Sequence, residues 1–67
     1  MKKKDICIAI CYGNVKRGTR EELMDFFFRG MLASEGSEHE RYSNIYYGLY
    51  DGYSHVTDEG EYTNKKI

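Results

Sequence analysis

The side chains in this sequence that could bind a metal or attack a carbonyl are Cys7, Cys11, His39 and His55. Thiolate and imidazole are the usual ligands of zinc. The two cysteines lie four positions apart in Ile6-Cys7-Ile8-Ala9-Ile10-Cys11-Tyr12. This is a short apolar run rich in β-branched residues, with lysines before it and Gly13-Asn14 after, and its length and flanks predict a strand. Four positions along a strand span ~13 Å at about 3.3 Å per residue, too far for both sulfurs to sit ~2.3 Å from one ion. The same span exceeds the Cα separation of about 7 Å that a disulfide tolerates. A helical run would make the two neighbours, so the exclusion rests on the strand. The expectation is two small apolar cysteines, no metal site and no cofactor.

His39 and His55 as acid and base, or either cysteine as a nucleophile, would need a pocket and an activating neighbour. The sequence carries neither a glycine-rich phosphate cradle nor a nucleophile elbow, and a chain of 67 residues rarely encloses a substrate-sized cavity. His39 falls in the first turn of an expected helix, where the dipole disfavours its charged form and surface placement accounts for it. No catalytic residue is assigned, and the reading is that of a protein that is not an enzyme.

Charge says more. The net charge is −1, which argues against a dedicated nucleic-acid binder, but residues 1–20 hold Lys2, Lys3, Lys4, Lys16, Arg17 and Arg20 against Asp5, a net of +5. Residues 35–61 hold Glu35, Glu38, Glu40, Asp51, Asp58, Glu59 and Glu61 against Arg41, a net of −6. Seven tyrosines and no tryptophan or proline complete the bias, and most of the tyrosines fall in this acidic half. Tyrosine offers large contact area at low entropic cost and is enriched at protein interfaces, so an acidic, tyrosine-rich side suits a basic protein groove. The amino-terminal lysines have a simpler reading as a solvated tail that keeps an edge strand from aggregating. The helix expected in the acidic half also lacks the basic face of a groove-reading helix, which makes direct contact with nucleic acid the weaker reading.

The elements that would carry these residues can be read along the chain. Alternation in the strand puts Ile6, Ile8, Ile10 and Tyr12 on one face and Cys7, Ala9 and Cys11 on the other, and the bulkier face is expected to meet the helices. A second apolar face then calls for a cover or for a homodimer through the N-terminal strand. Residues 13–18 read as a polar turn. Thr19, with Glu22 three residues on, has the form of a capping box opening a first helix. In that helix Glu21, Asp25 and Arg29 form a solvated stripe. Leu23, Met24, Phe26, Phe27, Phe28, Met31 and Leu32 cover so much of the rest that contact on more than one side is expected. Gly36 can close a helix in the left-handed region, and Ser37 with Glu40 repeats the capping-box pattern. A second helix follows, its core stripe Tyr42, Ile45, Tyr46, Leu49 and Tyr53, and the short link folds the two helices into an antiparallel hairpin. Gly48 falls off that stripe, with Glu40, Asn44, Tyr47 and Asp51, and a glycine inside the helical pattern points to a close approach of something else. Residues 53–57 change to a period of two, predicting a short strand beside the first. Asp58-Glu59-Gly60 reads as a turn, with residues 1–4 and 63–67 as frayed ends.

Around the hinge, Ser34-Glu35-Gly36-Ser37-Glu38-His39-Glu40-Arg41-Tyr42-Ser43-Asn44-Ile45-Tyr46 resembles a set of small uncharacterised proteins of Gram-positive bacteria, their phages and conjugative elements. In these a helix rich in Met and Leu runs into S-E-G-S/A-E-x-x-R-Y and a second helix; the likeness covers about residues 19–58. The resemblance implies the helical hairpin and a mobile-element setting, in which many very small proteins act by binding a host or rival protein, anti-CRISPR inhibitors among them.

The sequence thus predicts a small single α+β domain: N-terminal strand, antiparallel helical hairpin, short C-terminal strand. Folding a chain of this size buries only about 60% of the surface the unfolded chain exposes, which makes oligomerisation a live option. No apolar run is long enough to span a membrane, no signal-peptide cleavage site follows residues 6–12, and the cysteine content is far below that of a disulfide scaffold. A cytoplasmic protein is expected. The leading function is a non-catalytic protein-binding module, an inhibitor or accessory protein. It would engage a basic partner through Glu38, Glu40, Tyr47, Tyr50, Asp51, Asp58 and Glu59. The alternative is a dimeric nucleic-acid-associated regulator that uses the basic amino-terminal end.

Overall fold

The computed structural model describes residues 5–64. Strands β1 (Ile6–Cys11) and β2 (Asn14–Thr19) are followed by helices α1 (Arg20–Leu32) and α2 (Gly36–Tyr50), then by the short strands β3 (His55–Thr57) and β4 (Tyr62–Thr63). The strands form one sheet in the order β2-β1-β3-β4, with β1 antiparallel to β2 and parallel to β3, and β3 antiparallel to β4. The α+β class and the helical hairpin stand as the sequence predicts. Among the described residues, no helix is long and apolar enough to cross a membrane.

Residues 14–19 are a strand where a polar turn was expected. The turn is shorter: Tyr12 and Gly13, at φ 52° and 79°, form a two-residue link of the kind whose twist matches a β-hairpin. Its signal was masked because tyrosine stands where Asn, Asp or Gly usually does, and because an edge strand with solvent on both sides shows no apolar alternation. At the carboxyl end, Tyr62 and Thr63 pair with β3, so Thr63 is not frayed; the other expected frayed ends, residues 1–4 and 65–67, lie outside the described residues.

The sheet also faces the opposite way from expectation. Cys7 and Ala9 are fully buried with Val56 against Leu23, Phe27, Ile45 and Leu49, whereas Ile6, Ile8 and Ile10 lie half-buried on the face without helices. The cause is a close approach. Gly48 lets α2 lie directly on the sheet: a Cβ there would come within 2.5 Å of the Tyr62 ring and 2.7 Å of Val56. Small residues on the strand match the glycine on the helix, and isoleucines would hold the layers apart. Because β1 is hydrogen-bonded to β2 on one side and β3 on the other, its backbone has no open edge for a second copy; only its isoleucine face remains for a homodimer.

Thr19 caps α1 as expected, its hydroxyl accepting from the Glu22 amide at 3.1 Å while the Glu22 carboxylate accepts from the Thr19 amide at 3.1 Å. The second capping box is absent. Gly36 does adopt a left-handed φ of 64°, but it starts α2 rather than closing α1, the N-cap position falls to Glu35, and no side chain caps it. The hinge is held instead by Ser34, whose hydroxyl donates to the Gly30 carbonyl at 2.7 Å, and by the His39 ring, whose Nδ1 donates to the Met31 carbonyl at 2.8 Å.

Candidate protein-binding surface

Arg20 fixes the far end of the hairpin. It stands in the first turn of α1, where the helix dipole opposes a cation, so no local reason explains it. Its guanidinium reaches the end of α2, donating to the carbonyls of Leu49 at 2.6 Å, Tyr53 at 3.0 Å and Gly52 at 3.4 Å, and it pairs with Asp5 at 2.6 Å. α2 has no basic residue in its own last turn, so Arg20 supplies from another element the donors and charge its carboxyl end lacks. That end carries Tyr47, Tyr50 and Asp51.

Asp58 is not a surface acid. Its side chain is 6% exposed; the carboxylate accepts from the Tyr12 amide at 2.8 Å and from Arg41 at 2.8 Å, while the Arg41 guanidinium lies 4.6 Å over the Tyr12 ring. Burial pushes its pKa up, but the Tyr12 amide and the Arg41 charge outweigh burial and hold it below the ordinary carboxylate value. Through these bonds Asp58 ties the β1–β2 turn, with Tyr12 at positive φ, to α2. It leaves the set of partner-binding candidates because its carboxylate is buried and its Oδ2 already accepts from both the Tyr12 amide and Arg41. In sequence it looked like any other turn carboxylate.

The remaining candidates are all exposed, and they fall into two groups. At the amino end of α2, Glu40 and Glu59 rim a shallow cleft of about 260 Å³ with Ser37 and Asn44 around the Arg41–Asp58 pair, and Glu38 accepts from the Tyr42 hydroxyl at 3.3 Å. At the carboxyl end, Tyr47 is 52% and Tyr50 66% exposed, and Asp51 is the C-cap residue. Glu40 and Asp51 stand about 16 Å apart at 1.5 Å per helical residue, within the reach of one partner surface.

A feature absent from the expected set joins the second group. Tyr46 packs against Phe28 of α1 at a centroid distance of 5.4 Å, against Tyr47 at 5.1 Å and against Tyr50 at 6.4 Å. With Leu32 and Phe28, 70% and 40% exposed, these rings give the hairpin side away from the sheet a continuous aromatic patch. The over-wide apolar arc of α1 was its sequence signal.

No family model, curated protein or solved structure matches the chain.

Charge is unevenly placed in a chain whose net charge is −1: residues 35–61 carry a net −6, and Arg20, Arg29 and Arg41 are each committed to an internal ion pair. The thiols offer little reactivity: Cys7 is pushed up by burial, and Cys11 by burial and by the Asp58 carboxylate, so both favour the protonated form over the nucleophilic thiolate. Among the described residues no three His, Cys, Asp or Glu side chains converge on a point that could hold a metal.

Proposed function

We propose that the chain is a non-catalytic protein-binding module that engages a basic partner through the α2 side of the hairpin, with Glu38, Glu40, Glu59, Tyr47, Tyr50 and Asp51 in the contact. The observation that carries this reading is the pairing of exposed tyrosines with carboxylates that form no ion pair among the described residues, in a stretch, residues 35–61, whose net charge is −6. Tyrosine supplies contact area, and the carboxylates steer a cationic surface and set register. The resemblance of residues 34–46 to mobile-element proteins adds the setting: an inhibitor or accessory factor, of the kind of which anti-CRISPR proteins are one example, acting by occupying a host or rival protein.

The test is affinity capture from a Gram-positive bacterial lysate with the wild-type chain and with the triple variant Glu38→Lys, Glu40→Lys, Asp51→Lys. The variant's fold is verified by circular dichroism. A basic protein retained by the wild type and lost by the variant is the expected result. Equal retention by a folded variant removes the reading.

A further inference from the structure

The outer aromatic patch shows an asymmetry. Elsewhere the chain covers exposed rings with its own cations: Arg41 lies 4.6 Å over Tyr12, and Lys16 lies 4.4 Å over Phe26. Among the described residues no cation lies over Phe28, Tyr46, Tyr47 or Tyr50. Acids border the same patch. Glu21 and Asp25 precede Phe28 by seven and three positions along one side of α1, and Asp51 follows Tyr47 by four on α2. Asp25 is paired with Arg29 at 3.3 Å, but no ion pair among the described residues engages Glu21 or Asp51.

Resting on the protein-binding reading above, we infer that this patch is the centre of the contact and that its occupant is an arginine-bearing amphipathic helix of another protein. A guanidinium stacks flat on a tyrosine ring while its N–H groups reach a carboxylate, and the patch offers both at adjacent positions. An ammonium has no planar face to stack. Charge also decides among occupants. A second copy would set Glu21, Asp25 and Asp51 against their own counterparts, and a phosphate-rich nucleic acid or anionic membrane would meet a surface of its own sign. The two helices present Phe28 with Leu32, and Tyr46 with Tyr50, each pair one turn apart. That length matches about one turn of a docked helix, whose apolar residues would meet Leu32 and Phe28 and whose arginines would meet the tyrosines.

The experiment titrates isotopically labelled protein with three designed helical peptides of one apolar pattern, whose flanking positions are all Arg, all Lys or all Glu, and follows amide shifts by NMR. The arginine peptide is expected to bind at least threefold more tightly than the lysine peptide. Its shifts should centre on Phe28, Leu32, Tyr46, Tyr47 and Tyr50, and the glutamate peptide should not bind. The double variant Tyr47→Ala, Tyr50→Ala, which removes only exposed rings, is expected to lose tenfold or more in affinity, with Tyr47→Phe, Tyr50→Phe retaining most of it. Equal binding of the Arg and Lys peptides, shifts centred on Ile6, Ile8 and Ile10, no binding of any peptide, or concentration-dependent shifts at the patch without peptide each overturn the inference; the last would show a second copy there. Capture of a basic partner that survives Tyr47→Ala, Tyr50→Ala but is lost on Glu38→Lys, Glu40→Lys sinks this inference alone and leaves the protein-binding reading standing.

Discussion

Replacing Arg20 by methionine should cost this small protein a large share of its stability while keeping the aliphatic bulk. The exposed ion pair with Asp5, whose side chain is 60% exposed, contributes little once water screens it. The carbonyl contacts matter more. Leu49 and Tyr53 accept from the guanidinium at 2.6 and 3.0 Å and close the last turn of α2, and hydrogen bonds from a charged donor are worth roughly 1.5–3 kcal/mol each. Water can reach a site that is 22% exposed, so part of that is recovered, and a net loss of about 2–3 kcal/mol is expected for Arg20→Met. For a domain of this size each kcal/mol shifts the midpoint by roughly 4–8 °C, so Tm should fall by about 10–20 °C. Arg20→Lys keeps the charge but cannot fork across three carbonyls, and about half the loss should remain. Thermal unfolding followed by circular dichroism measures both. An Arg20→Met protein melting within about 3 °C of wild type would refute the clamp, and with it the reason why Tyr50 and Asp51 are held in place.

Two further outcomes follow from the packing and the buried acid. Gly48→Ala gains about 1 kcal/mol of helix propensity, yet its Cβ would meet the Tyr62 ring at 2.5 Å, and that ring is tethered by its hydroxyl to the Asn44 carbonyl at 2.6 Å; a net destabilisation of roughly 1–2 kcal/mol is expected, and an unchanged or raised urea midpoint would contradict it. Asp58 has a folded pKa below its ordinary value of 3.8, so its contribution is complete above that value and is lost as pH falls through the lowered one. The stability gap between wild type and Asp58→Asn should therefore narrow in urea titrations from about pH 5 to about pH 2.5, and a gap that stays constant would show that the carboxylate is not the stabilising form.

What the sequence disclosed was local. The Thr19–Glu22 box, the Ile45 and Leu49 stripe and the Asp58-Glu59-Gly60 turn are each written within a few residues, and each appears in the fold. What it hid depended on partners far along the chain. β2 is an edge strand with solvent on both sides, so Asn14-Val15-Lys16-Arg17 shows no alternation to betray it. The isoleucines of β1 looked like core until Gly48, some forty residues away, brought a helix close enough that only Cys7 and Ala9 fit beneath it. Asp58 read as a solvated carboxylate because nothing local announces the Tyr12 amide or Arg41. The candidate surface was half legible: Tyr47, Tyr50 and Asp51 could be named from helical spacing, whereas Phe28 and Leu32 join them only once α1 and α2 lie side by side.

Hydrogen–deuterium exchange on the complex with a captured basic partner tests the central claim most directly. The account predicts slowed exchange along α2 and the facing turns of α1, with β1 and β2 unchanged on binding. Protection confined to β1 and β2, with α2 exchanging as in the free protein, would contradict it.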